Sequence, residues 1–530
     1  MHIDTVLYNG TIHTLDPQVP TVEAIALSGE QIAAIGTKDD LCTLLGPNGQ
    51  SMDLDGKTVI PGLVDAHLHF AGYSQRLDQV HIHELPKDET LARVKERVLQ
   101  SGPNKWLRGG GWNCNLWAGG AFPTRQDLDA VAPDNPVALS SKDGHSVWIN
   151  TRAMQEAGID ANTADVPGGA IFRDASGMPT GILQENALGL VYDAIPRPTL
   201  NENISAIERG MDSAHRLGLT GVHDCEGAEA LAAFQTLRRQ GKLTMRVLMH
   251  IPRASVESAI QLGIHDGLGD PWIRFYGVKI FADGALGSRS AWMIAPYEDD
   301  PDSTGIPTIT PQELNALVRQ CNQAGLSVAI HAIGDGANRA VLDAIEQARD
   351  ENTAHLRNRI EHVQLLHPND IGRLAQLGVV ASMQPIHATA DIDIVDQYWG
   401  ARGTGSYAWR SLLDAGTVLA FGSDAPVEDI SPLVGIHAAV TRRRADGYPA
   451  PEGWYPEQRL TIHEALYAYT MGAAFASGEE KIKGSLVPGK VADLVVLDRD
   501  LYLIDPMEIL EAQVVATMVG GKFVYQGQSL

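Results

Sequence analysis

The chain has 530 residues, 44% hydrophobic and 20% charged, as expected of an ordinary globular protein with more than one domain. Its formal net charge of −24 speaks against a nucleic-acid partner, which would need Lys and Arg to neutralise phosphate. No apolar stretch approaches the ~20 residues that span a bilayer, and the start, Met1-His2-Ile3-Asp4-Thr5-Val6-Leu7, has neither a basic n-region nor a long apolar h-region. Cys42, Cys114, Cys225 and Cys321 form no C-x-x-C pair. These features predict a reduced, cytoplasmic protein with no membrane partner.

In chain order, the first elements are short strands. Val6-Leu7-Tyr8-Asn9-Gly10-Thr11-Ile12, Ala24-Ile25-Ala26-Leu27 and Ile32-Ala33-Ala34-Ile35-Gly36 are separated by Asn-Gly and Ser-Gly turn signals. The C-terminus has the same texture: Asp493-Leu494-Val495-Val496-Leu497 and Val514-Val515-Ala516-Thr517-Met518-Val519, with Gly520-Gly521 as a hairpin turn. Residues 1–60 and 480–530 are therefore predicted to meet in one small β-sandwich.

Next comes Pro61-Gly62-Leu63-Val64-Asp65-Ala66-His67-Leu68-His69. Residues i and i+2 of a strand share a face, so His67 and His69 can reach one metal ion. His81-Ile82-His83 has the same spacing but lies outside the strand pattern and joins no further ligand. Residues 72–214 break the alternation found later in the chain and carry Trp106, Trp112, Trp117 and Trp148 among many Gly and Pro. They are predicted to form an inserted α+β subdomain that covers the site and walls it with aromatic surface. The alternative is that these tryptophans are the insert's own core.

From Leu217 to Thr470 apolar runs alternate with amphipathic helical patterns, such as those beginning at Pro311 and Ala337. The strand candidates are 219–224, 244–251, 273–281, 326–332, 359–364, 379–384 and 418–423. Adding the strand that ends at His69 makes eight, which predicts a (β/α)8 barrel over 61–71 and 215–479 with its chemistry at the C-terminal strand ends.

Four more polar residues lie in or at the ends of these runs. Lys279 sits inside Tyr276-Gly277-Val278-Lys279-Ile280-Phe281, where an ammonium must be paired or neutralised. It is either ion-paired, for instance with Asp283, or a neutral amine that has added CO₂ to become a carbamate able to bridge two metals. His331 and His362 end their strands as ligands or as core residues. Asp424 follows Leu419-Ala420-Phe421-Gly422-Ser423, where metal ligation, general-base work and capping of the next helix are all open. His223 and His250 end strands as candidates for a supporting layer. His145, after Asp143-Gly144, is expected to face substrate. Trp112 is a pocket or core residue, and Arg289 would hold a substrate carboxylate or a neighbouring acid.

This pattern resembles the amidohydrolase superfamily: Pro-Gly-x-x-Asp-x-His-x-His on strand 1, Lys on strand 4, His on strands 5 and 6, Asp on strand 8. Gly109-Gly110-Gly111-Trp112, Asp143-Gly144-His145-Ser146, the run from Lys279-Ile280-Phe281-Ala282-Asp283-Gly284 to Arg289, Glu361-His362-Val363-Gln364 and Gly422-Ser423-Asp424 resemble its YtcJ-like, amidohydrolase-3 branch, which includes N-substituted formamide deformylases. Gly110-Gly111-Trp112-Asn113-Cys114 departs from the Arg-Gly-Trp-Asp common there. The resemblance implies a hydrolase of carbon–nitrogen bonds other than peptide bonds, acting on a small-molecule amide and assembled as a homodimer. It implies two zinc ions, one held by His67, His69 and Asp424, the other by His331 and His362, with carbamylated Lys279 bridging. A metal-bridging hydroxide would attack the carbonyl carbon, helped by His145, with Asp424 as proton shuttle. The alternatives are a mononuclear deaminase, a cyclic-amide hydrolase on the same scaffold, and a non-catalytic amide-binding protein.

Overall fold

Eight parallel strands lie side by side in the order in which the chain makes them. They are Leu63–Leu68, Leu219–Asp224, Arg246–Pro252, Ile273–Phe281, Val328–Ala332, Arg359–His362, Val380–Met383 and Leu419–Phe421. The computed structural model describes residues 3–83, 85–117, 119–142 and 144–528. Every residue of the first and second strands is buried, as expected of parallel strands covered on both faces. The last strand returns to the first: Asp424 N donates to His67 O (2.8 Å) and His69 N to Ala425 O (2.8 Å). Gly422 is needed at this junction, because a Cβ there would come within 2.6 Å of Asp65 Oδ1 and of His67 N. The result is the predicted (β/α)8 barrel.

The helices between strands form where the sequence caps them. Pro311–Gln323 starts with Thr310, whose side chain accepts from Glu313 N while Glu313 reaches back to the Thr310 backbone, with Pro311 in the first turn. Among the described residues no helix is long and apolar enough to cross a membrane.

Both chain ends contribute to one sheet, in which Leu494–Leu497 pairs with Thr58–Pro61 and with Val514–Val519. The turn at Gly520 and Gly521 has φ of 56° and 73°, left-handed values that suit a two-residue hairpin. A second sheet, built from N-terminal strands, shares a core with the first, in which Leu7, Ile25 and Leu27 meet Val59, Leu494 and Val496. The sandwich is tied to the barrel by a buried pair: Arg246 Nε and Nη2 donate to Asp493 at 2.6 and 2.9 Å.

The residues Ser74–Ala206 form a separate compact unit. Its sheet holds Gly169–Arg173, Pro179–Glu185, Ser146–Ile149, Val137–Ser141, Leu107–Trp112 and Val80–His81, in that order. Trp112, Trp117 and Trp148 lie in its core with Leu107, Leu139 and Ile182, and Trp106 packs on a second cluster around Val147 and Ile149. Each core indole finds an acceptor inside the unit: Trp112 Nε1 donates to Leu139 O, Trp117 to Leu85 O and Trp148 to Thr124 O. Trp112 is thus part of the insert's own core. Trp112→Ala is accordingly expected to destabilise the insert by ~3–5 kcal/mol, the cost of emptying a large aromatic site. Thermal melting checks this; a rise in KM confined to bulky substrates, at unchanged stability, would contradict it.

Candidate metal centre

The first strand places His67 inside the barrel and His69 just beyond its end, with rings 6.1 Å apart and nearly perpendicular. Asp424 faces both from the end of the eighth strand. Its Oδ1 is 3.5 Å from His67 Nε2 and 3.7 Å from His69 Nε2. The Asp424 backbone is left-handed, φ 59°, as is His362 at 75°. Such conformations are uncommon outside glycine and cluster at functional sites. His362 lies 4.9 Å from His67 and 4.5 Å from His331, ring to ring. One ligand atom each from His67, His362 and Asp424 falls within 4.8 Å of the others.

Hydrogen bonds fix which nitrogen of each ring is left for a ligand. His67 Nδ1 is 2.6 Å from Glu361 Oε2, which leaves Nε2. His362 Nδ1 donates to Gln384 Oε1 at 2.8 Å, which again leaves Nε2. His331 Nε2 is 2.9 Å from Gly284 O, which leaves Nδ1. Burial, together with the positive charge of Lys279, lowers the pKa of His69 to about 4 and of His331 to about 3. For His362 burial comes first, followed by the neighbouring imidazoles and Lys279, and its pKa is held well below the usual value. These rings are therefore neutral near pH 7, the form in which imidazole binds metal.

Lys279 is 4% exposed, its Nζ is buried, and it has no hydrogen-bond partner among the described residues. It does not pair with Asp283. That carboxylate accepts from the backbone N–H of Trp292 (2.9 Å), Ile333 (3.0 Å) and Gly334 (2.9 Å). A buried amine thus stands among four imidazoles and a carboxylate. The donor set fits a metal ion.

A supporting layer stands behind these ligands. Glu361, fully buried, accepts from Arg359 as well as bonding His67. Burial acts to raise its pKa, but Arg359 and His67 outweigh it and hold the carboxyl well below its usual range. Arg359 continues to His223 Nδ1 (3.0 Å) and to Ala66 O (2.6 Å). His223 thus joins the contacts that run from His67 through Glu361 and Arg359, and His250 is buried near it. Asp65 pins the first strand to the eighth: it accepts from His67 N and Ser423 N (3.1 Å each) and from Ser423 Oγ (2.5 Å).

Two predicted substrate residues have side-chain partners of their own. Arg289 bonds Asp299 (2.5 Å). His145 belongs to the separate unit, where its Nδ1 is 3.2 Å from Glu185, and Asp143 of the same string lies outside the described residues. Glu361, Arg359, Asp65, Gln384, Gln364 and His387 are site residues that sequence reasoning did not single out.

Residues 50–525 match the amidohydrolase family. YtcJ of Bacillus subtilis is 33% identical over 98% of this chain and 99% of its own length. The N-substituted formamide deformylase of Arthrobacter pascens is 30% identical, over 99% of this chain and 98% of its own. The crystal structure of an uncharacterized metal-dependent hydrolase from Pyrococcus furiosus superposes with a TM-score of 0.79 at 30% identity, covering 94% of this chain and 99% of that one. With its barrel, its ligand set and this full-length similarity, the chain belongs to the amidohydrolase family.

Proposed function

We propose that this protein hydrolyses an amide-type carbon–nitrogen bond, of an N-substituted formamide or another N-acyl compound, with two zinc ions. The observation that carries the reading is the unpartnered Lys279 amine buried among His67, His69, His331, His362 and Asp424. His67, His69 and Asp424 would hold one ion, His331 and His362 the other, with Lys279 as a carbamate between them. When bound, such ions lower the pKa of water to about 7 and polarise a carbonyl. The chain's own part is proton transfer: Asp424 takes a proton from the attacking water and delivers it to the departing nitrogen as the C–N bond breaks. Before any metal binds, burial pushes its carboxyl up to about 7, against the pull of Lys279. The name of the Arthrobacter relative supports a formamide substrate. The four free thiols suit the cytoplasm, and a homodimer is checked by light scattering.

A second reading, a mononuclear deaminase on the same barrel, draws on the three-ligand cluster of His67, His362 and Asp424. Metal stoichiometry and ammonia release decide between them. The test of the main reading is a panel of N-formyl, N-acyl and cyclic amides, with metal measured on the same sample. Chelation is expected to abolish turnover and Zn²⁺ to restore it. Full activity in verifiably metal-free protein would sink the reading.

A further inference from the structure

One imidazole at the barrel mouth has no place in the ligand set. His387 stands on Pro385–Ala390, the short helix that follows the seventh strand. Its ring is parallel to that of His362, with centroids 6.1 Å apart and 6° between the planes. Its Nε2 is buried, has no hydrogen-bond partner among the described residues, and lies 4.0 Å from Asp424 Oδ2, beyond hydrogen-bond reach.

Two short strings brace each other here. Gln384, from Gln384-Pro385-Ile386-His387, presents its carbonyl oxygen to His362 Nδ1 at 2.8 Å. Gln364, from Glu361-His362-Val363-Gln364, presents its amide nitrogen to His387 Nδ1 at 3.3 Å. The chemical consequence is opposite for the two rings. An Nδ1 that donates leaves a lone pair on Nε2, so His362 can bind metal. With the Gln364 amide nitrogen toward it, the His387 Nδ1 accepts, the proton sits on Nε2, and His387 is a donor. Asp424 is divided to match: Oδ1 faces His67 and His69, and Oδ2 faces His387. Buried N–H groups in folded proteins are nearly always paired. The acceptor missing at His387 is therefore expected to come from a ligand.

We infer that His387 is a catalytic residue whose Nε2–H donates a hydrogen bond to the carbonyl oxygen of bound substrate, beside the Asp424 oxygen that moves the proton. The inference rests on the amide-hydrolase reading above. As the attacking water oxygen bonds to carbon, the C=O π pair moves onto the carbonyl oxygen, and the hydrogen bond strengthens as that charge develops. The proton stays on His387 throughout, and the pair returns when the C–N bond breaks.

The test uses the full-length, zinc-loaded protein with N-butylformamide as probe. His387→Phe is expected to lower kcat by ~10²–10³-fold, the effect of losing one such donor, with zinc content and zinc affinity unchanged. His387→Gln, whose amide nitrogen can reach the same place, is expected to recover part of that loss. Lost zinc in both variants would make His387 a metal ligand and overturn the inference, as would a normal kcat in His387→Phe. Should wild type bind N-butylformamide without turning it over, the amide-hydrolase reading fails by itself. Weaker calorimetric binding by His387→Phe then still supports the donor. Equal binding by both proteins, or binding by neither, overturns it.

Discussion

Lys279→Ala is expected to leave the purified protein depleted of metal and to lower kcat/KM by at least ~10²-fold, the scale of removing one preorganised electrostatic group. Lys279 sits in the fourth barrel strand, 4% exposed, with no hydrogen-bond partner for its amine. A buried ammonium left uncompensated is strongly destabilising, and the one carboxylate close to it in sequence, Asp283, is committed to three backbone N–H groups. Its charge is met only through space, by Glu361 and Asp424, and its Nζ stands 4.8 Å from the Phe281 ring centroid. A carbamate would turn it into a bidentate oxygen ligand among neutral imidazoles. Two measurements follow. Short carboxylic acids added to Lys279→Ala should return some metal and some rate. In metal-free protein, Lys279→Met should raise stability by about 1–4 kcal/mol, because an orphaned polar terminus is replaced by an apolar chain of similar length. A structure at neutral pH with two metals bound and a free Lys279 amine would refute the assignment.

Much of this centre was legible because barrel chemistry leaves a particular mark on sequence: a polar residue at the end of a fully apolar run. His331 and His362 carry that mark, and Asp424 carries it after a strand of three residues, Leu419–Phe421, that is short for a confident reading by length. What lay hidden was the set of partners. Glu361 and Arg359 alternate with Ile360, so both point into the barrel, and two charges on the interior face of an apolar strand could have raised the question. Their partners could not be read, because His67 is 294 residues from Glu361 and His223 is 136 from Arg359. His387 was harder still. It ends no apolar run and stands on a helix, and only the break at Gln384-Pro385 marks the place. The tryptophans of the insert show the opposite limit. Clustering in sequence is equally consistent with a substrate wall and with a core, and the core packing shows only in the indole N–H partners inside the unit.

Asp424→Asn is expected to keep much of the metal and to lose kcat by at least ~10²-fold, the lower bound of general acid–base catalysis. The substitution preserves size and one oxygen. The carbonyl of Asn can still sit where Oδ1 does, 3.5 Å from His67 Nε2 and 3.7 Å from His69 Nε2, while those two histidines and the rest of the donor set remain. What disappears is the ability to accept a proton. In the wild type the carboxylate can take a proton from the water and release it to the leaving nitrogen. An amide can do neither. The loss should therefore fall on kcat, with KM little changed, because the interaction removed is made only as protons move. The backbone separates this role from a purely structural one. Asp424 N bonds to His67 O whichever side chain is present, so the barrel closure survives in the variant and its melting temperature should stay near that of wild type. Near-normal kcat in metal-loaded Asp424→Asn would leave Asp424 a ligand and hand the proton transfer to another group.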